Sequence, residues 1–193
     1  DNDGWLDIYI NDWGGCRGNS LFKNNGNGTF RIINTPSPLK SDGKSRQSYA
    51  MVPYDFNNDG WLDLYVSNDF QEPNSLHINN EGKSFEEKAN DFGIGNHFDD
   101  MGIALSDIDN DGDFDIFLTG ILENALYIND GNNQFTEDIE NYNIEETGWA
   151  WGCQFEDFDL DGDLDLFVAN GFSQLIRPNA YYKNLLLEGE NKF

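Results

Sequence analysis

Short apolar runs separated by polar, glycine-rich breaks recur along the chain, and three of these runs share one form. They cover residues 62–66, 114–118 and 164–168, and each has one Asp near its start followed by apolar, β-branched or aromatic residues. Such runs predict β-strands, because these side chains fit a pleated, packed surface. Continuous rather than alternating apolar character predicts strands that are buried on both faces of a sheet.

Further segments recur with the same period of about fifty residues. Each unit has an apolar stretch, a polar loop, the apolar run, an Asn-led strand, an Asn/Gly-rich turn, and a last strand that begins with Phe. The Asn residues are Asn19, Asn74, Asn124 and Asn179, and the Phe residues are Phe30, Phe85, Phe135 and Phe193. Four antiparallel strands at this period predict the blades of a β-propeller. We therefore expect an all-β fold with about four blades, in approximate repeats 1–48, 49–100, 101–148 and 149–193.

The polar loop has the pattern D-x-[DN]-x-D-G-x-x-D. It is complete at residues 55–63, 107–115 and 157–165, and the chain opens inside a fourth copy at residues 1–7. Side-chain oxygens at loop positions 1, 3 and 5 can point at one centre, the position-6 glycine allows a sharp turn, and position 9 closes the shell. Hard oxygen ligands on a flexible loop suit Ca²⁺ better than Mg²⁺. An acid at position 9, instead of a bidentate Glu at position 12, excludes an EF-hand.

We expect one Ca²⁺ ion per loop, held by side chains at positions 1, 3, 5 and 9 and by the backbone carbonyl of position 7. The predicted ligands are Asp55, Asn57, Asp59, Trp61 and Asp63; Asp107, Asp109, Asp111, Asp113 and Asp115; and Asp157, Asp159, Asp161, Asp163 and Asp165. The first copy supplies Asp1, Asp3 and Asp7, so its site is expected to be incomplete. Without a cation, carboxylates this close would repel one another, and the repetition argues against a merely solvated acidic turn.

Composition limits the possible binding partners and the cellular location of the protein. The formal net charge is −25, and the 11 Lys and Arg residues are scattered, so nucleic acid and anionic membranes are not expected partners. No direct membrane insertion is expected in this segment. Weak calcium modules are typical of millimolar calcium outside the cell, which favours an extracellular, periplasmic or cell-surface location. Cys153 aligns with Met51 and Ile103, which predicts a buried apolar position, and a disulfide with Cys16 is not expected.

The loop and the strand after it resemble the FG-GAP/VCBS repeats, which form the calcium-binding propeller of integrin α chains. The segment 124–129 (Asn-Ala-Leu-Tyr-Ile-Asn), and residues 148–152 with residues 169–171, are similar to ASPIC/UnbV-type proteins and the cartilage acidic protein family. The resemblance implies a usually seven-bladed propeller and the ligand roles given above. The Phe-Gly and Gly-Ala-Pro signatures of integrin repeats are not well preserved. Because the chain opens inside a loop, we expect it to be a piece of a longer protein.

No catalytic set can be identified in the sequence. His77 aligns with aromatic positions and is expected to pack, while His97 has no matching partner for acid–base work. Trp149 and Trp151 lie where strand cores are expected. We therefore expect a non-enzymatic platform that presents loops to a protein or polysaccharide ligand. The alternative is a calcium-propeller polysaccharide lyase or hydrolase whose catalytic residues lie in other blades or loops.

Overall fold

The computed structural model describes residues 1–14, 18–33, 47–70, 72–95, 99–121, 123–145 and 147–172. These residues form antiparallel β-strands joined by loops, with one helical turn, α1 (Ala89–Phe92), and one 3₁₀ turn, Ile139–Asn141. No helix among the described residues is long and apolar enough to cross a membrane. The strands are β1 (Ile8–Ile10), β2 (Ser20–Asn24), β3 (Phe30–Ile32), β4 (Ser48–Tyr54), β5 (Asp63–Asn68), β6 (Ser75–Asn79), β7 (Phe85–Glu87), β8 (Asp100–Ser106), β9 (Asp115–Gly120), β10 (Ala125–Asn129), β11 (Phe135–Glu137), β12 (Trp149–Glu156) and β13 (Asp165–Phe172).

The strands make four sheets whose order follows the chain: sheet I (β1–β3), sheet II (β4–β7), sheet III (β8–β11) and sheet IV (β12–β13). Sheets II and III each have four strands, and every strand pairing is antiparallel. Strand β8 packs on β4 and β5, and β12 packs on β8 and β9, so sheets II, III and IV stack face to face as propeller blades do. The predicted all-β fold of four-stranded blades is confirmed, and the total number of blades stays a prediction.

Strand β9 explains why the apolar runs are continuous. Ile116 and Leu118 pack with Tyr65 in the core between sheets II and III. Phe117, between them in sequence, packs with Phe155 in the core between sheets III and IV. Because alternate side chains of a strand point to opposite faces, a strand between two sheets needs apolar residues at every position.

Burial in sheet IV differs from the sequence prediction. Phe167 is 57 % exposed, although its counterpart Phe117 is fully buried. Trp151 is 42 % exposed rather than placed in a strand core. Trp149 is half-buried and packs on Met101. The prediction of a doubly buried strand at 164–168 is wrong for the described residues, because no further described sheet covers the outer face of sheet IV.

The single-residue predictions have mixed outcomes. His77 is buried in its strand, as expected for a packing position. Cys153 is a half-buried free thiol that packs beside Phe117, and burial raises the pKa of its thiol to about 12. Cys16 and His97 lie outside the described residues, as does the last Asn-led strand.

The Asn residues that lead the repeated strand fasten each sheet to the next one. An Asn side chain has one acceptor oxygen and two N–H donors, so it can serve two partners. In each case Oδ1 accepts a backbone N–H of its own sheet unit, and Nδ2 donates to a group that begins the next unit. The inter-sheet bonds are Asn19 Nδ2 to Ser48 Oγ (2.9 Å), Asn74 Nδ2 to Asp100 Oδ2 (2.6 Å) and Asn124 Nδ2 to Thr147 Oγ1 (2.9 Å).

Candidate metal centres

The four acidic loops lie next to one another along the stack of sheets. We number them loop 1 (residues 1–7), loop 2 (residues 55–63), loop 3 (residues 107–115) and loop 4 (residues 157–165). Asn2 Nδ2 of loop 1 donates to the Gly60 carbonyl of loop 2 at 3.0 Å. The ring of Tyr54, directly before loop 2, stacks on Phe114 of loop 3 with centroids 5.1 Å apart. Loop 1 therefore contacts loop 2 directly, and the residue that precedes loop 2 contacts loop 3.

Loop 3 shows the hydrogen bonds that shape each complete loop. Asp107 accepts the amides of Asp111 and Gly112 through its two carboxylate oxygens, at 3.0 and 3.1 Å. Asp109 also accepts the Asp111 amide, at 3.2 Å, and Asp111 accepts the Asp113 amide at 2.9 Å. The side chains at positions 1, 3 and 5 are thus held inside the turn by backbone donors. Loops 2 and 4 repeat this set with Asp55, Asn57, Asp59, Gly60 and Trp61, and with Asp157, Asp159, Asp161, Gly162 and Asp163.

Two left-handed residues wind the backbone of each loop. The glycine at position 6 has a φ of 87° to 100° in the complete loops, for example at Gly112. Position 4 is also left-handed, with φ of 57° at Asn58, 61° at Asn110 and 64° at Leu160. Asn tolerates this region better than other side chains with a Cβ atom. Leu160 therefore carries local strain that the other two loops avoid.

The acid at position 9 joins the loop to its sheet. In loop 2, Asp63 is fully buried and accepts the Phe56 amide at 2.9 Å on one oxygen and the Asn79 amide at 2.7 Å on the other. Asp115 is equally buried and makes the same pair of bonds in loop 3. Burial raises the pKa of Asp63 to about 6 and also raises the pKa of Asp115. Asp165 accepts the same position-2 amide, at 3.1 Å, but is exposed.

The Asn that ends strands β2, β6 and β10 is a loop-binding residue that the sequence reasoning missed. Besides its amide bond to Asp63, Asn79 donates through Nδ2 to the Leu62 carbonyl at 3.0 Å and accepts the Gly82 amide at 2.8 Å. Asn24 and Asn129 make the equivalent bonds in loops 1 and 3. The sequence signal that could have identified this residue is the recurrence of a second Asn five residues after the first.

Position 7 was predicted to contribute a backbone carbonyl, and its side chain lies against the turn between the third and fourth strands. A Cβ atom added to Gly82 would come within 3.1 Å of the Trp61 ring, and one added to Gly131 within 2.5 Å of Asp113 Oδ2. These turn glycines also have a φ of 71° and 73°. Close approach and backbone conformation therefore both require glycine there. The role of the position-7 carbonyl as a ligand stays a prediction.

The carboxylates of loops 3 and 4 are spaced for a common cation. One oxygen each of Asp107, Asp109 and Asp115 lie within 4.8 Å of one another, and the same holds for Asp157, Asp159 and Asp165. Two ligands of one Ca²⁺ ion lie at most about 5.2 Å apart, since Ca–O distances are about 2.3–2.6 Å. The donor set is all oxygen, which suits a hard cation. Loop 2 has the same bond pattern with the amide of Asn57 at position 3.

The acids of loops 2, 3 and 4 have no protein cation beside them in the described part of the chain. Among the described residues, no Lys, Arg or His nitrogen lies within 4.0 Å of a carboxylate of these loops. The pKa of Tyr54, which stands between loops 2 and 3, is raised by burial and further by the charges of Asp113, Asp55 and Asp107. The two loops therefore share one region of negative potential.

Loop 1 differs from the other three loops because a lysine contacts its acids. Lys23 Nζ donates to Asp1 and, at 2.8 Å, to Asp3 Oδ2, and the amino terminus lies 3.8 Å from Asp7 Oδ2. Asp1 and Asp3 therefore converge on an ammonium group from the adjacent strand β2, while Asp7 accepts the Asn24 amide at 2.8 Å.

Successive antiparallel sheets in which one strand directly follows an acidic loop define the class of β-propeller repeat proteins. The chain matches the FG-GAP-like repeat over residues 1–66, 55–118 and 107–168, and it belongs to this family. Each match runs from one acidic loop into the strand after the next loop. The predicted FG-GAP family is confirmed, whereas the narrower likeness to ASPIC/UnbV and cartilage acidic proteins stays a prediction. The comparison with curated proteins finds no significant match.

Proposed function

We propose that loops 2, 3 and 4 bind Ca²⁺ and that the metal stabilises a propeller used as an extracellular structural, adhesion or ligand-binding platform. The observation that carries the proposal is the set of convergent carboxylates in loops 3 and 4. Their oxygens lie within 4.8 Å of one another, and no described protein cation lies within 4.0 Å. Converging anions without a counter-charge destabilise a folded loop unless a cation joins them.

The ligand set decides which cation fits. At least three carboxylates in each complete loop, and the absence of His or Cys from the loop pattern, favour a hard metal over Zn²⁺ or Cu²⁺. Flexible loop carboxylates tolerate the irregular, six- to eight-ligand shell of Ca²⁺, whereas Mg²⁺ demands near-octahedral geometry and retains water. The chain's own residues would position the ion through the backbone bonds to Asp107 and Asp115, which fix the carboxylates before any metal arrives.

Calcium would act on stability because it binds only the folded loop. A ligand at a hundredfold excess over its Kd adds about 2.7 kcal/mol per site. At roughly 2–4 °C per kcal/mol for a chain of this size, we expect a rise in Tm of about 5–11 °C per occupied site. The rise should be reversed by a chelator and not reproduced by Mg²⁺.

The test is thermal unfolding, followed by circular dichroism, of the chelator-treated chain titrated with CaCl₂. The variant Asp109→Asn/Asp159→Asn keeps the position-3 oxygen, as Asn57 does in loop 2, but removes one charge from each of two loops. We expect its calcium midpoint to rise about tenfold, since affinity follows the ligand charge count. Glu145→Gln removes one exposed charge elsewhere and should behave as the parent chain. A Tm that does not respond to calcium would refute the proposal.

The platform role rests on the family and on charge. FG-GAP-like repeats are typical of extracellular proteins, and a net charge of −25 disfavours nucleic acid and anionic membranes as partners. We infer that the partner is a protein or a polysaccharide. Retention of the chain on immobilised polysaccharides or matrix proteins in calcium, and release by chelator, would support this role. No retention on either class would count against it. No observation on the described residues favours the polysaccharide-degrading enzyme, which stays a hypothesis from sequence.

A further inference from the structure

The residue before the loop-binding Asn differs between the unit of loop 1 and those of loops 2 and 3; in the fourth repeat the corresponding residue is Lys183, which lies outside the described residues. Asn24, Asn79 and Asn129 all donate their backbone amide to the position-9 acid of their loop. The residue just before them is Lys23 in sheet I, but Ile78 in sheet II and Ile128 in sheet III. The shared amide bond makes these three positions structurally equivalent.

In sheets II and III this position is apolar and belongs to the core. Ile78 lies in the same hydrophobic cluster as Phe56, the position-2 residue of loop 2. Ile128 packs in the cluster that contains Ile108, the position-2 residue of loop 3. These two loops therefore have a hydrocarbon side chain where loop 1 has an ammonium group.

Lys23 reaches the carboxylates of loop 1. Its Nζ bonds Asp1 and lies 2.8 Å from Asp3 Oδ2, and these are loop positions 3 and 5. The pair is largely covered, with side-chain exposures of 18 % for Lys23 and 33 % for Asp3. Water therefore screens this contact less than it would a fully exposed ion pair.

The strand next to Lys23 adds a second positive charge. Lys23 is directly opposite Arg31, whereas Ile78 is opposite Glu86 and Ile128 is opposite Thr136. Like charges directly opposite across two strands are destabilising. The acids of loop 1 offset that repulsion, so the basic pair and the acidic loop form one compensated group.

We propose that the Lys23 ammonium serves as the built-in cation of loop 1 and weakens calcium binding there relative to loops 2 and 3. A divalent cation bound by Asp1 and Asp3 would have to displace the ammonium or lie beside it, and both lower the affinity. This inference rests on the proposed function, because it compares loop 1 with loops that bind calcium. In loop 1 the protein itself supplies the positive charge, although the sequence pattern of this loop is that of a metal-binding loop.

The test is calcium binding to the full chain by isothermal titration calorimetry, with the same amino terminus in every variant. In Lys23→Ile, which installs the residue of sheets II and III, we expect the calcium affinity of loop 1 to rise at least tenfold, seen as one further ion bound. Lys23→Arg keeps the charge and should bind as the parent chain. Lys23→Ile/Asp3→Asn should lose the gained ion, which assigns it to loop 1.

The reciprocal variant Ile128→Lys should remove one ion by placing an ammonium beside loop 3, and its circular dichroism spectrum checks that it folds. Should that variant not fold, the Lys23 series still decides the inference. Loss of all calcium binding in the parent chain would refute the proposed function. Binding at loops 2, 3 and 4 with no gain in Lys23→Ile would refute only the role of Lys23. A parent chain with four equivalent calcium ions would also refute it.

Discussion

Replacing Asn74 by Ala tests whether the inter-sheet asparagines hold the blades together. Asn74 is 2 % exposed, and its side chain makes at least three hydrogen bonds. Its Oδ1 accepts the Asn68 amide at 2.9 Å, and its Nδ2 donates to the Tyr65 hydroxyl at 3.1 Å and to Asp100 Oδ2 at 2.6 Å. Asp100 begins the first strand of the next sheet and is fully buried. The substitution thus removes bonds within sheet II and between sheets II and III.

The size of the effect follows from the kinds of bond that are lost. A neutral hydrogen bond contributes about 0.5–1.5 kcal/mol, and a bond to a charged group about 1.5–3 kcal/mol. Two bonds of the first kind and one of the second give a loss of about 2.5–6 kcal/mol, with a central value of about 4 kcal/mol. At about 2–4 °C per kcal/mol, Tm should fall by roughly 8–16 °C.

Urea unfolding followed by tryptophan fluorescence, with calcium held constant, measures the change. Asn80→Ala is the matched control, because Asn80 is exposed and its side chain makes one long bond, at 3.3 Å, to Ser84. A surface change of this kind should stay within about 0.5 kcal/mol. Equal stability of the Asn74 and Asn80 variants would refute the assigned role. A changed m value would show that the blades no longer unfold as one unit.

Two further substitutions test backbone positions. Gly102→Ala should destabilise the protein by about 1–3 kcal/mol, because the new Cβ would lie 2.8 Å from the Gly152 Cα on the next sheet. The control Gly152→Ala should be nearly neutral, because nothing lies within 4 Å of its added Cβ. Equal losses of stability in urea unfolding would contradict the close approach at Gly102. Leu160→Asn should stabilise the protein by about 1 kcal/mol, because Leu160 is 87 % exposed and left-handed. The reciprocal Asn110→Leu should lose a similar amount in thermal unfolding. A loss of stability in Leu160→Asn, or no loss in Asn110→Leu, would show that position 4 is not strained.

Local chemistry made part of the molecule predictable. The loops, their glycines and the strands that follow are specified by residues within one repeat, because turn geometry and side-chain alternation act over a few positions. The Phe residues that were predicted to begin the last strand of each unit do so at Phe30, Phe85 and Phe135. Together, these sequence signals predicted the antiparallel four-stranded unit.

Burial and partner choice could not be predicted in the same way. The runs around Phe117 and Phe167 have nearly the same sequence pattern, yet their exposures are 0 % and 57 %. The difference lies in whether another sheet covers the residue, which the run itself does not encode. Lys23 is similar: its carboxylate partners are about twenty positions earlier in the chain, and only the folded sheet brings them together.

The repeated N-x-L-x-x-N segment gains a physical meaning from these contacts. Strand β6 runs from Ser75 to Asn79, so Asn74 and Asn79 lie at its two ends. At one end Asn74 bonds the first strand of the next sheet, and at the other Asn79 bonds the carbonyl and acid that close loop 2. One short strand therefore fastens both the neighbouring blade and the candidate metal loop. Because both bonds come from buried amides at a fixed separation along a rigid strand, lengthening the segment by one residue would break one of them. The five-residue spacing is thus a structural requirement of the loop and the blade together, and not of the strand alone.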